Sequence, residues 1–321
     1  MINGELIDLV AGDYEARIAT SGATLVHLRR AGSDLVIPFD AEASLPEGWQ
    51  GKTLVPWPNR IVGARYAYRG QEYPVPCNEP ETGSALHGLV GWADFQVVAT
   101  SAGDDAVGDA PSSVALELTL PGSYAYPWSL QVDVRFALDA RAGLTVAATT
   151  TCLGAGAPAA PDAVGAPESD GLLAPAPYGV SFHPYLTRSV PLDECVLQVP
   201  AARVLDVDER MAPAAERDVA GTDWDWRAGR PVGTISTDNA YTGLPQGPWE
   251  ARLTGGEAGS TVVLSAEAPW VQVYTAEHLG RRGVAVEPMT CPPDAFNSGR
   301  DLVELEVGRS HSFSYSLRED D

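Results

Sequence analysis

The sequence predicts an all-β protein, built as a sandwich or barrel of many short strands. Three observations lead there. Apolar and polar residues alternate in short segments along most of the chain, which is the period of a strand with one face buried. Glycine and proline, 32 and 26 in number, punctuate those segments as turns require. A helical period is nearly absent, and a short helical turn is expected only around 212–217.

Taken in order, Tyr14 to Thr20 and Thr24 to Arg29 alternate, with Gly22 in the turn between them. Leu35 to Phe39 reads as a short apolar strand ended by Pro38 and Asp40. Across 64–73, Tyr66, Tyr68 and Tyr73 flank Arg69-Gly70, a hairpin pattern. The segments 95–100, 114–120, 130–138 and 144–151 continue the series. In 130–138 the alternation is almost perfect, so one face is expected to be buried and the other solvated. Further strands are expected at 194–199, 261–266, 271–275, 302–307 and 311–317. The stretch 154–177 breaks the pattern, being Ala, Pro, Gly and Asp with few large side chains beyond Leu172 and Leu173. It cannot bury enough surface to order itself. Strands of similar character resume at Val180, so it is expected to be a flexible insertion in one domain spanning 1–321.

Composition narrows the function. A net charge of -22, with Lys52 as the only lysine, argues against nucleic acid and anionic membrane as partners. No run approaches the roughly 18 apolar residues of a membrane helix, and Met1 to Asp8 lacks the basic-then-apolar pattern of an export signal. Cys77, Cys152, Cys195 and Cys291 are scattered without CxxC or Cys/His spacing, so reduced thiols and a cytoplasmic location are expected. Neither GxGxxG after a strand nor GxxxxGK[ST] occurs, and the histidines are isolated in sequence. No cofactor and no metal are therefore expected. Composition is silent on oligomeric state.

The most informative stretch runs from Gly283 to Asn297. Val284 and Val286 would point one way along a strand, Ala285 and Glu287 the other, leaving room beside the carboxylate. Pro288 removes a backbone donor, so the strand is expected to lie at an edge or to end there. Pro292 and Pro293 stiffen the following loop, and a carboxylate held in this way suits a general base. Other polar residues sit in comparable settings. Asn59 and Arg60 follow Pro56-Trp57-Pro58. His87 lies on a turn whose Gly88 admits a close neighbour. His183 precedes Pro184 and Tyr185 at a strand end, and Asp238 lies just before Tyr241. Gln272 shares a strand face with Trp270 and Tyr274. Histidine, arginine and carboxylate groups at strand ends, with aromatics beside them, suit a neutral sugar, whose rim needs hydrogen bonds and whose face needs an apolar platform.

Asn59-Arg60-Ile61, Leu86-His87-Gly88, Phe182-His183-Pro184-Tyr185, Asp238 with its following aromatic, Gln272-Val273-Tyr274, and Glu287-Pro-Met-Thr-Cys-Pro-Pro-Asp-Ala-Phe-Asn297 together resemble the aldose 1-epimerase (galactose mutarotase) family. The order and approximate spacing hold from about residue 10 to residue 317. The resemblance implies a single large antiparallel β-sandwich, a supersandwich, with an open sugar cleft. It implies an isomerase with Glu287 as general base and His183 as general acid. Arg60, His87 and Asp238 would bind and orient sugar hydroxyls, joined by Gln272, Asn59 and Tyr185. Two departures stand out: the Ala/Pro-rich insertion before His183 is longer than usual, which bears on access to the cleft. Leu186 stands where an aromatic commonly follows His-Pro-Tyr, which bears on sugar selectivity.

These residues suit ring opening of a free hexose without cofactor or metal, with a small sugar as the partner. Two rivals remain at this stage. A hexose-6-phosphate 1-epimerase would need arginines converging on a phosphate. A non-catalytic sugar-binding module would keep Arg60 and the aromatics but need not keep both His183 and Glu287.

Overall fold

A computed structural model describes residues 2–102, 112–155, 174–256 and 259–320. Among these residues two large antiparallel sheets, of nine and eight strands, dominate, with four smaller sheets around them. The one α-helix among them is Ala295–Ser298. No helix is long and apolar enough to cross a membrane. The all-β sandwich expected from the alternation is the observed architecture.

The nine-stranded sheet is centred on the long strands Trp128–Asp139, Gly143–Ala155 and Ser310–Asp320, each paired with the next. In Trp128–Asp139 the even-numbered residues are buried and the odd-numbered ones are not, the period-two burial that the sequence predicts. The eight-stranded sheet runs in the order Pro213–Asp218, Arg203–Val207, Asp238–Thr242, Trp270–Tyr274, Val284–Met289, Ser181–Phe182, Thr53–Leu54, and Tyr185–Leu186 also pairs with Val284–Met289. The sheets pack face to face: Phe182 stacks on Phe313 at 6.0 Å and meets Tyr315 at 4.9 Å. Val271, Val273, Val284 and Val286 enter the same hydrophobic core as Leu130, Val132 and Val146. Because strand side chains alternate, Gln272, Tyr274, Ala285 and Glu287 then project from the opposite face of the eight-stranded sheet. That outer face is the floor of the cleft described below.

Pro288 departs from expectation. The strand Val284–Met289 is interior, with Trp270–Tyr274 on one side and Ser181–Phe182 and Tyr185–Leu186 on the other. The register of the pairs Ser181–Met289 and Tyr185–Ala285 puts Pro288 opposite Phe182. Val286 N–H donates to Pro184 O at 3.2 Å on that side, and the nitrogen of residue 288, two further along, faces Phe182. The Pro288 carbonyl instead accepts Ser181 Oγ at 2.8 Å. The Phe182 carbonyl, which an N–H at residue 288 would have reached, accepts Ser181 Oγ at 3.2 Å, so the lost ladder bond is replaced in part.

Other differences have local causes. Leu35–Phe39 is not a strand; within it Val36 makes a single bridge to Leu186, and the chain then leaves toward the turn at Asp40. The helical turn expected around 212–217 is instead an edge strand, Pro213–Asp218, paired with Arg203–Val207. Cross-strand pairing of Arg203 with Glu216 and of Arg217 with Asp206 rewards the extended form, overriding local propensity. Strands at Leu6–Ala11, Arg203–Val207, Asp238–Thr242 and Trp249–Thr254 were not expected. Of the stretch 154–177, residues 156–173 lie outside the described residues. Its ends are packed: residues 154 and 155 continue the strand Gly143–Ala155, and Ala176–Tyr178 pairs with Val303–Leu305. Leu186 points into the main core, away from the cleft, so it offers a sugar no contact.

Candidate active site

The register that puts Pro288 opposite Phe182 puts His183 opposite Glu287 on the neighbouring strand. His183 Nε2 lies 3.3 Å from Glu287 Oε1, and both side chains are almost fully buried. His183 is held on its other edge by backbone bonds, its N–H to Lys52 O at 3.1 Å and its carbonyl from Gly51 N–H at 2.9 Å. The Tyr185 ring stacks on the imidazole at 4.9 Å, while its hydroxyl donates to Gly48 O at 2.7 Å. Tyr185 therefore braces His183 with its ring and the 47–49 turn with its tip. Ala285, small as expected, leaves the space that Tyr185 fills.

A second group of residues reaches the same point from the first half of the chain. Asn59 and His87 both adopt left-handed backbone, φ 53° and 62°, a conformation that needs local support. Each supplies it to the other: His87 N–H donates to Asn59 O at 2.8 Å, and Asn59 N–H donates to His87 Nδ1 at 3.2 Å. Gly88, at φ +73°, sits where a Cβ would lie 2.2 Å from Val55 O, so the close approach read from the sequence is real. The loop after Glu287 completes the frame, with Asp294 N–H donating to Arg60 O at 2.7 Å and Val62 N–H donating to Asp294 Oδ1 at 2.9 Å.

These pieces enclose a cleft of about 280 Å³. Asn59, Arg60, His87, His183, Tyr185, Asp238, Gln272 and Glu287 all line it, so every residue singled out in the sequence meets at one place. Gln272 Nε2 donates to Asp238 Oδ1 at 2.6 Å. Glu79 takes the Arg60 guanidinium in a two-pronged pair at 2.7 and 2.8 Å. Trp49, Tyr274, His278 and Glu79 also line the cleft and were not singled out from sequence. Tyr274 had a signal, since it shares a strand face with Gln272. Glu79 lies in Asn78-Glu79-Pro80-Glu81, a turn-forming run in which nothing marks one acid over another. His278 and Trp49 carried no distinguishing pattern.

Burial sets the protonation states. It pushes Glu287 well above the ordinary carboxylate value, an effect reinforced by the Asp238 charge and opposed by Arg60. It pushes His183 down to about 3. His87 is likewise held well below its usual value, by burial first and then by the nearby His183 and Arg60. Asp238 is raised by burial against the pull of Arg60 and of the Gln272 hydrogen bond. Burial thus favours a neutral His183 and a protonated Glu287 over the ion pair. Glu287 Oε2, His183 Nδ1 and Gln272 Oε1 have no hydrogen-bond partner although buried. Unpaired buried polar atoms of this kind are costly unless a ligand uses them.

His87, His183 and Glu287 place one ligand atom each within 4.8 Å of the others, a cluster that sequence spacing did not foretell. The donor chemistry does not suit a metal. His87 Nδ1 accepts the Asn59 N–H, so the neutral ring carries its proton on Nε2 and presents a donor, not a lone pair, from that atom.

The family model for aldose 1-epimerase matches residues 5–159 and 167–318. The uncharacterized protein YihR of Escherichia coli (strain K12) is 38% identical over 316 residues, covering 98% of this chain and 93% of that protein. Among solved structures, the GalM/aldose epimerase homologue of C. elegans superimposes with a TM-score of 0.79 at 20% identity, covering 98% of each chain. The galactose 1-epimerase of Lactobacillus acidophilus NCFM gives a TM-score of 0.78 at 16% identity, covering 96% of this chain and 92% of that one. At such identities the structural likeness speaks for the fold. The match to the family model extends over nearly the whole chain, and the chain belongs to the aldose 1-epimerase family, isomerases that act on carbohydrates.

Proposed function

We propose that this protein interconverts the α and β anomers of free hexoses such as glucose or galactose. The observation that carries this reading is the buried Glu287–His183 pair, 3.3 Å apart, with an unpartnered Glu287 oxygen in the sugar-sized cleft. With the pair's proton moved from Glu287, where burial favours it, to His183, Glu287 takes the proton of the anomeric hydroxyl while His183 protonates the ring oxygen. The C1–O5 bond breaks and leaves an open-chain aldehyde. Rotation about C1–C2 presents the other carbonyl face, and the ring closes with the two roles exchanged. Each positioned proton-transfer group contributes about 10²–10⁴-fold in such chemistry. Arg60, His87, Asp238 and Gln272 hold the sugar hydroxyls, and Asn59 and Tyr185 hold His87 and His183 in place.

A phosphorylated sugar fits less well. Arg60 is the one arginine lining the cleft, its fork is already engaged by Glu79, and Asp238 and Glu287 face the same space. A cytoplasmic location suits the four cysteines, none of which is paired. Polarimetry tests the reading: freshly dissolved α-D-glucose or α-D-galactose should reach its equilibrium rotation faster with the protein, and a chelator should not change the rate. A much higher kcat/KM for glucose 6-phosphate would instead assign the phosphorylated substrate.

A further inference from the structure

Lys52 is the only lysine of the chain, and it is completely buried. Among the described residues its ammonium has no carboxylate partner. Nζ donates to Ser21 O at 3.1 Å and lies 4.2 Å from the centre of the Trp92 ring, over its face. Burying an ammonium with so few partners is expensive, and burial pushes Lys52 down to about 7. The Trp92 face works the other way, favouring the charged form, since a cation over an indole is attracted more strongly when water is excluded. A methionine would fill the same slot at lower cost, so packing alone gives no reason for a lysine here.

The slot is shaped around this side chain. A Cβ on Gly22 would lie 2.8 Å from Lys52 Cδ, and Gly22 has φ +72°. A Cβ on Gly91 would lie 2.7 Å from the Trp49 ring, which therefore packs directly on the backbone beside Trp92. Trp92 meets Trp49 at 5.4 Å, and Trp49 meets His87 edge-on at 5.0 Å. A continuous path thus leads from the buried ammonium, through the half-exposed Trp92 indole, to the Trp49 indole that lines the cleft. Lys52 N–H also donates to Trp49 O at 3.1 Å, tying the backbone of the same wall.

We propose that Lys52 is a positioning residue: its buried ammonium fixes Trp92, which backs Trp49, the aromatic wall of the cleft against which the sugar face packs. The proposal rests on the sugar-epimerase reading of the cleft. A rigid wall contributes alike to the bound sugar and to its ring-opening transition state. Its loss should therefore appear in KM and not in kcat.

Lys52→Met keeps the stem and removes the charge, and Trp92→Leu removes the ring from an exposed position. Each is expected to raise KM for galactose about 5-fold or more while kcat stays within about twofold. The double variant should be no worse than the poorer single, because both remove one contact. A single lysine also permits a direct view. With labelled lysine the protein gives one Hε–Cε NMR cross-peak, displaced upfield by the Trp92 ring, lost from that position in Trp92→Leu and moved by added galactose. Unchanged KM in Lys52→Met, or a loss of kcat matching the rise in KM, overturns the proposal while leaving the enzyme reading intact. If Lys52→Met does not fold, Trp92→Leu decides, and an unchanged KM there overturns it equally. Absence of turnover by the unmodified protein on any hexose removes the sugar reading itself, and the wall with it.

Discussion

Glu287→Gln preserves size and still hydrogen-bonds a hydroxyl, but it cannot accept a proton. His183→Asn likewise keeps a polar group and removes the acid. Each should lower kcat by roughly 10²-fold or more with small changes in sugar affinity, and the double variant should be little worse than the poorer single. Near-normal kcat in Glu287→Gln would move the base to Asp238, which lines the same cleft. The pH dependence follows from the directions of the shifts. Because burial depresses His183 to about 3, the pair gains its second proton only well below the ordinary histidine range. Because burial raises Glu287, the pair gives up its single proton only above the ordinary carboxylate range. The kcat/KM profile should therefore show its acid limb below about 6.5, the free histidine value, and an alkaline limb above the ordinary carboxylate range. A profile falling through 6.5 toward acid would mean that His183 titrates as an exposed histidine.

At the scale of elements, the site depends on places where regular pairing is interrupted. Pro184 and Pro288 each remove a donor from the pairing beside Val284–Met289, where His183 lies opposite Glu287; the left-handed residues Asn59 and His87 hold each other through two hydrogen bonds. Gly88→Ala tests the second device. The new Cβ would meet Val55 O, and the residue would need a backbone conformation that costs about 1–3 kcal/mol for a non-glycine residue. The expected result is a Tm several degrees lower together with reduced kcat, because His87 is displaced along with its neighbour. A normal Tm and kcat would show that the turn relaxes without moving His87.

For the whole molecule, we read the chain as one sandwich domain carrying an insertion. Its two described ends converge on one residue: Trp128 pairs with Ala155 through the backbone and donates its Nε1–H to Ala174 O at 3.0 Å. A short linker can therefore close the same gap. Replacing residues 157–172 by a few glycines and serines is expected to change stability by only about 1 kcal/mol, the difference in loop-closure entropy. Thermal unfolding measures this, and a large fall in Tm would mean that those residues pack. Residues 174–177 must be kept, because Tyr68 Oη donates to Pro175 O and Tyr126 Oη to Pro177 O, at 3.1 and 3.0 Å.

Alternation and turn residues sufficed to establish the all-β class and most strands of the nine-stranded sheet, because a half-buried strand writes its two faces into every second residue. The cleft residues were legible for a related reason: proline and glycine beside Arg60, His87, His183 and Glu287 mark where backbone must be held or approached. Pairing order was not legible. Whether Pro288 sits at an edge depends on which strand lies beside it, and Ser181, more than a hundred residues away in sequence, supplies that neighbour. Nor could sequence show that Glu79 occupies the Arg60 fork, that His278 and Trp49 reach the cleft, or that Leu186 turns from it. Those facts arise from contacts between distant segments, and a local pattern carries no record of them. Lys52 makes the same point: the sequence shows a lone lysine, and only the packed structure places its ammonium under an indole.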